Sequence, residues 1–130
     1  MPEIDPDHIF LLGYSYGAIS SLFATDAKTP GAHHIAGVIA YYPYCYDNVV
    51  PSRPTLVLIG EKDDWTPAEL CQKAQGNPNV ELTVYPGASH AFDKLSGQPI
   101  DYLGHHIAFD VNATLDAQKR ADAFMDARMK

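Results

Sequence analysis

Three short stretches of this chain are apolar at nearly every position, and each is closed by a glycine or a proline. They are His8-Ile-Phe-Leu-Leu-Gly13, Ile35-Ala-Gly-Val-Ile-Ala-Tyr-Tyr42 before Pro43, and Thr55-Leu-Val-Leu-Ile59 before Gly60. A strand with one wet face alternates apolar and polar residues. A strand covered on both faces does not, and such strands belong to parallel sheets with helices on either side. The segments between them read accordingly. Ala18, Leu22 and Phe23 fall at helical spacing and predict a helix from about Tyr16 to Thr25. Thr66 followed by Pro67 reads as an N-cap and first helical position, for a helix reaching about Gln75 and stopping at Gly76-Asn-Pro. Val80 to Tyr85 alternates Val80, Leu82 and Val84 with Glu81 and Thr83, as expected of a strand near the sheet edge. Pro86 to Pro99 reads as loop. Asp110 or Asn112 can cap a last helix reaching about Arg128, with Ala117, Ala121, Phe124 and Met125 on one face. Strands joined through helices imply right-handed crossovers, hence an α/β fold of about four mostly parallel strands with flanking helices.

Composition narrows the functions open to such a fold. The 130 residues, 46% of them hydrophobic, suit a single domain spanning 1–130. The net charge of −7 disfavours contact with nucleic acid or anionic membrane surfaces. No apolar run approaches the ~18–20 residues of a membrane span. The start, Met1-Pro-Glu-Ile-Asp-Pro-Asp7, has neither a basic nor an apolar stretch, so no signal peptide is expected on this chain. Localisation, cytoplasmic or exported, stays open.

The chemistry is concentrated where the apolar runs end. Gly13-Tyr-Ser-Tyr-Gly17 is a G-x-S-x-G sequence set between a predicted buried strand and a predicted helix. In that setting the glycines relieve a sharp reversal, and Ser15 stands at the tip with its hydroxyl exposed. The helix start behind it offers free N–H groups to a developing oxyanion. A serine hydroxyl needs a base, and a histidine base needs a carboxylate to hold its tautomer. Gly60-Glu-Lys-Asp63-Asp64-Trp-Thr-Pro67 follows the third strand, and Tyr85-Pro-Gly-Ala-Ser-His90-Ala-Phe-Asp93 follows the fourth. In a parallel sheet the loops after the strands' C-terminal ends share one rim, so Ser15, Asp63 and His90 can meet there. Asp63 and Asp64 compete for the acid's place, since both cannot face His90. Asp63 is favoured, with Asp64 free to cap the following helix.

These three segments together resemble the dienelactone hydrolase family of α/β-hydrolases, over its C-terminal half. The resemblance implies a partial α/β-hydrolase fold with Ser15 as nucleophile, Asp63 as acid, His90 as base and the Tyr16 N–H as one oxyanion donor. It also implies a small-molecule ester-type substrate (ester, thioester or lactone), an acyl-enzyme intermediate and no cofactor. The family's name-giving enzymes carry cysteine where Ser15 stands, which argues against dienelactone itself as substrate. An imidazole base would make activity rise with pH near ~6.5–7. Members of the family place several strands ahead of the nucleophile and draw a second oxyanion donor from there. Those N-terminal strands are absent here, so an N-terminally truncated domain is expected, with residues 8–12 as an apolar edge able to pair with a second copy of the chain. The alternative to a hydrolase is therefore an inactive fragment that only binds or oligomerises.

The remaining signals are weaker. Cys45 and Cys71 lie near two strand ends, and a disulfide and two reduced thiols both fit them. Some similar-looking family members are exported, which favours the bridge. Tyr14, Tyr42, Tyr44 and Trp65 cluster near the same rim and either line a pocket or pack beneath the loops. His33-His34 and His105-His106 are adjacent pairs whose side chains are expected to diverge, so no metal site is expected.

Overall fold

The structure is a computed structural model that describes residues 3–95 and 99–129. Four strands, β1 (Phe10–Tyr14), β2 (Gly37–Tyr41), β3 (Thr55–Gly60) and β4 (Val80–Tyr85), form one parallel sheet in the order β1-β2-β3-β4. Helix α1 (Tyr16–Ala24) follows β1, α2 (Ala68–Gln72) follows β3, and α3 (Val111–Ala127) ends the fold. Register explains the two covered faces. Phe10 lies opposite Gly37, Leu12 opposite Ile39, and Ile39 opposite Leu56. Partners in a parallel ladder share a face. On one face Phe10 meets Phe124 of α3 edge-on, and Tyr85 donates its hydroxyl to Asp116 of α3. The opposite face, with Leu11, Val38, Val57 and Leu82, lies under α1 and α2.

Continuous apolar sequence and double-sided burial coincide in β2 and β3, every residue of which is buried. Leu56, Val57, Leu58 and Ile59 are nearly free of solvent contact, and each such side chain contributes about 1.5–3 kcal/mol. β4 is wetter, in keeping with its alternation and edge position. β1 is the other edge. Leu12 and Tyr14 on its α3 side are each 47% exposed.

Several details depart from the sequence reading. β1 begins at Phe10 and β2 at Gly37, each two residues late, because Asp5, His8, Ala32 and Ile35 are held in turns. Helix α2 is capped at Pro67, not Thr66, and gives way at Lys73–Gly76 to a 3-10 turn. Thr66 is drawn off by tertiary partners described below. Of the two candidate caps for α3, Asp110 serves, accepting from the Ala113 N–H at 3.0 Å. His33 and His34 do not diverge. They sit in a 3-10 turn (Ala32–His34), and their rings lie 4.0 Å apart. A hairpin, β5 (Ile100–Tyr102) and β6 (His105–Ile107), stands where the sequence reading has no element. Its two-residue turn, Leu103-Gly104, has positive φ at both positions (51° and 82°), and leucine carries no signal for such a turn.

Candidate active site

Ser15, Asp63 and His90 all lie just beyond C-terminal strand ends, after β1, β3 and β4. The chain reverses at Ser15 with φ 53° and ψ −112°, a region that costs a non-glycine residue about 1–3 kcal/mol. The reversal is held on both sides. The Ser15 N–H donates to the Tyr41 carbonyl at 3.0 Å, and the Ser15 carbonyl accepts from the Ile19 N–H at 3.0 Å. Gly13 makes the turn possible, since a Cβ there would lie 2.3 Å from the Gly17 backbone. Gly17 is different. A Cβ on it would meet nothing within 4 Å, so only the first glycine of the motif answers a steric demand.

Asp63 and His90 are brought together by two loops in backbone contact. The Lys62 N–H donates to the Ala88 carbonyl at 2.9 Å. Ser89 holds the histidine's loop by accepting from the Ala108 N–H at 2.9 Å. The result is a hydrogen-bonded row. Ser15 Oγ lies 3.1 Å from His90 Nε2, and His90 Nδ1 lies 2.8 Å from Asp63 Oδ2. The imidazole is 5% exposed and the carboxylate 0%. Asp63 Oδ1 accepts the N–H groups of Trp65 (2.9 Å) and Thr66 (2.7 Å), while Oδ2 accepts the Thr66 hydroxyl at 2.8 Å. A buried carboxylate is tolerated when its lone pairs are filled in this way. Asp64 points outward. Rather than capping α2, it meets His105 Nδ1 at 3.2 Å and accepts from the His106 N–H at 3.3 Å.

Aromatic rings surround the imidazole. Tyr42 stands edge-on to His90 at 4.8 Å and donates its hydroxyl to Asp93 at 2.5 Å. Burial, then the Asp93 carboxylate, pushes the Tyr42 phenol far above its ordinary range. Tyr42 also has positive φ, 42°, as does Ala91 beside His90, 55°. Trp65 lies 5.2 Å from His90 and stacks on His105 at 4.3 Å. Tyr14 packs against Tyr41 at 4.7 Å, and Tyr44 turns to Tyr46 at 4.6 Å. Tyr16 is exposed, leaving its backbone N–H at the first position of α1, where no intrahelical acceptor exists.

Cys45, after β2, and Cys71, on α2, are joined by a disulfide with a Cα–Cα distance of 5.1 Å. It ties the segment that follows Tyr42 to the helix that follows Asp63. An apolar cavity of about 230 Å³ opens beside it, lined by Leu22, Val49, Val57, Leu70 and Val80. It lies under the α1–α2 face, and none of the three rim residues lines it. Among the described residues no three His, Cys, Asp or Glu side chains gather as a metal site, and no helix is long and apolar enough to cross a membrane.

Sequence reasoning missed Thr66, Asp93 and the β5–β6 hairpin. Thr-Pro is a helix-entry signal, and nothing local marks a hydroxyl aimed at a distant imidazole. Asp93, three residues after His90, carries no spacing signal of its own.

A parallel sheet with helices on both faces and a Ser–His–Asp row along its C-terminal rim defines part of an α/β-hydrolase. The profile of the dienelactone hydrolase family matches residues 1–128, and the chain belongs to that family. A provisionally named carboxymethylenebutenolidase from Azospirillum brasilense is 40% identical over 68 residues, 45% of this chain and 29% of that protein. A dienelactone hydrolase-like promiscuous phosphotriesterase from metagenomic libraries superposes with a TM-score of 0.78 at 16% identity, over 98% of this chain and 55% of its own. Esterase 2 of Thermogutta terrifontis, phosphoramylated by tabun, gives 0.72 at 16% identity, over 95% of this chain and 56% of its own. The chain thus spans about half the length of these structures, and under a third of the curated relative.

Proposed function

We propose that the chain carries the catalytic residues of a serine hydrolase that cleaves an ester, thioester or lactone through an acyl-enzyme. The observation that carries this reading is the row Ser15 Oγ, His90 Nε2, His90 Nδ1, Asp63 Oδ2, with gaps of 3.1 and 2.8 Å. Asp63 accepts only, so it selects the tautomer protonated at Nδ1 and leaves the Nε2 lone pair facing Ser15. Ser15 Oγ attacks the carbonyl carbon as its proton passes to Nε2. The oxyanion forms next to the Tyr16 N–H at the positive end of α1. His90 returns the proton to the leaving oxygen or sulfur. Water then enters, gives its proton to Nε2 and releases the acid, and Ser15 regains its proton. The rings of Tyr42 and Trp65 lie 4.8 and 5.2 Å from the imidazole, which supports its shielding, and in this reading Trp65 and Tyr14 border bound substrate. The likeness to a tabun-modified esterase supports the fold, and the serine supports the choice of an acyl-enzyme.

The test is labelling with a fluorophosphonate followed by peptide mapping. The label is expected on Ser15 and is expected to vanish in Ser15→Ala. A Ser15→Ala protein that labels or turns over esters like the parent would overturn the assignment.

A second reading has an observation of its own. Among the described residues β1 pairs on one side only, with Leu12 and Tyr14 half-exposed beside the open edge. Such an edge offers free N–H and C=O groups to a second copy. Light scattering across a concentration series tests this. Leu12→Lys is expected to shift an association toward monomer, and a parent monomeric throughout would end the idea.

A further inference from the structure

The buried hydroxyl of Thr66 touches three groups at once. Its Oγ1 is 2.8 Å from Asp63 Oδ2, 3.1 Å from the Tyr42 carbonyl and 3.1 Å from His90 Nδ1. Thr66 is 4% exposed, so little water is at hand to replace it. A threonine hydroxyl has one proton to give and two lone pairs to receive with. Two of the three neighbours, the carboxylate and the carbonyl, are acceptors. The third, His90 Nδ1, is a donor in the tautomer that Asp63 selects. One proton therefore has two destinations, with a short rotation about the Thr66 Cβ–Oγ1 bond between them.

We propose that Thr66 is a positioning residue of the site, a two-position hydroxyl that sets how fully Asp63 faces the His90 ring. With the Thr66 proton on Asp63 Oδ2, part of the carboxylate's charge is spent on a neutral donor, as suits a neutral imidazole. With the proton turned to the Tyr42 carbonyl, Oδ2 is left wholly to Nδ1–H and the Thr66 lone pair faces the same proton. That arrangement suits an imidazolium. No covalent bond changes and no proton leaves Thr66. The anchor is unusually fixed. Tyr42 presents its carbonyl from a positive-φ residue, its ring lies against His90, and its hydroxyl is held by Asp93. The Cys45–Cys71 bridge ties the segment just past Tyr42 to the helix just past Thr66. The end of β2, which supplies no member of the triad, thereby controls the geometry of the pair supplied by β3 and β4.

This inference rests on the triad reading, and the experiment separates the two. The rate of fluorophosphonate labelling is measured against pH for the parent, Ser15→Ala, Thr66→Val and Thr66→Ser. Thr66→Val removes both positions of the hydroxyl at once, the donor to Asp63 and the lone pair that faces His90 Nδ1. The acid limb of its profile is expected to be displaced from the parent's. Its plateau is expected to fall roughly tenfold, the loss of one orienting hydrogen bond to a charged pair. Thr66→Ser should return the acid limb to the parent's position and the plateau to within about twofold of the parent. A Thr66→Val profile like the parent's, or a Thr66→Ser protein as impaired as Thr66→Val, overturns the proposal while a silent Ser15→Ala keeps the triad. If Ser15→Ala labels like the parent, or the parent does not label, it is the triad reading that falls. A second measurement needs no variant to fold and no labelling. Proton NMR of the parent should show a slowly exchanging Thr66 hydroxyl with a nuclear Overhauser contact to the His90 ring, and its absence overturns the proposal.

Discussion

Gly60 lies so close to Ala88 that a Cβ on it would sit 2.2 Å from the Ala88 carbonyl oxygen. This approach lets the loop after β3 and the loop after β4 run in contact, with Asp63 three residues beyond one partner and His90 two beyond the other. The obstruction is backbone, not a side chain that could swing away. Gly60→Ala must therefore separate the loops. The expected loss of stability in urea is about 3 kcal/mol, the upper range for overpacking a filled site. Labelling of Ser15 should slow even where the protein still folds. A Gly60→Ala protein with parental stability and reactivity would show that the contact is not needed.

The two glycines around Ser15 should respond in opposite ways. Gly13→Ala places a methyl 2.3 Å from the backbone of Gly17 and is expected to prevent the strand-to-helix reversal. Gly17→Ala meets open space inside α1, where alanine is the better helix former by about 0.5–1 kcal/mol. Thermal unfolding of the two variants should show a large loss for the first and a small gain for the second.

Neighbouring carboxylates should differ as sharply. Asp63 is buried against His90, whereas Asp64 is exposed and pairs with His105 and His106. If Asp63 is the acid of the proposed triad, Asp63→Asn retains the shape and loses the tautomer control, for an expected fall in labelling rate on the order of 10³–10⁴. Asp64→Asn removes only surface pairs and should stay within about fivefold of the parent. Equal effects of the two substitutions would contradict the arrangement.

The disulfide closes a loop of sequence separation 26. Chain-entropy arguments put its contribution at about 3–4 kcal/mol. Reduction should lower the urea midpoint accordingly, and an alkylated, reduced protein should be less stable than the oxidised one. Unchanged stability on reduction would mean that the bridge constrains little.

Stability should also fall at both ends of the pH scale, for identifiable reasons. The Asp26 carboxyl is held below its ordinary value by the Val50 N–H first and the Lys28 N–H second, at 2.7 and 3.0 Å. A lowered folded value gives stability that is present above the unfolded pKa, ~3.9, and is lost as pH falls through the folded value. Asp26→Asn should flatten that acid limb. At the other end, burial pushes the Tyr41 phenol up to about 12. A raised folded value gives stability that is complete below ~10 and is lost as pH rises from there toward 12. Tyr41→Phe should weaken this alkaline loss, as read by denaturant midpoints across pH 9–12.

Much of the architecture was legible in the chain because it is set by burial pattern. The unalternating run at Leu56-Val-Leu-Ile59 is covered on both faces, and the alternating run at Val80–Tyr85 is an edge strand of the predicted extent. Legibility failed where a residue's partner is remote in sequence. Thr66 looked like a cap because its local signal is a Thr-Pro step, yet its hydroxyl is claimed by Tyr42 and Asp63. The β5–β6 hairpin is illegible in the sequence because three-residue strands have no period to read and Leu103 is an improbable turn residue.

The order and type of the main elements, and the presence of a serine, a carboxylate and a histidine at three strand ends, follow from the sequence alone. Periodicity and turn chemistry are local properties, carried by neighbours along the chain. Whether Cys45 and Cys71 bridge, that Asp64 turns to His105 while Asp63 faces the imidazole, and that the Thr66 hydroxyl reaches both Asp63 and His90 were decided only by tertiary structure. Those choices depend on side-chain direction and on ångström-scale contact between loops dozens of residues apart, and no local pattern encodes either.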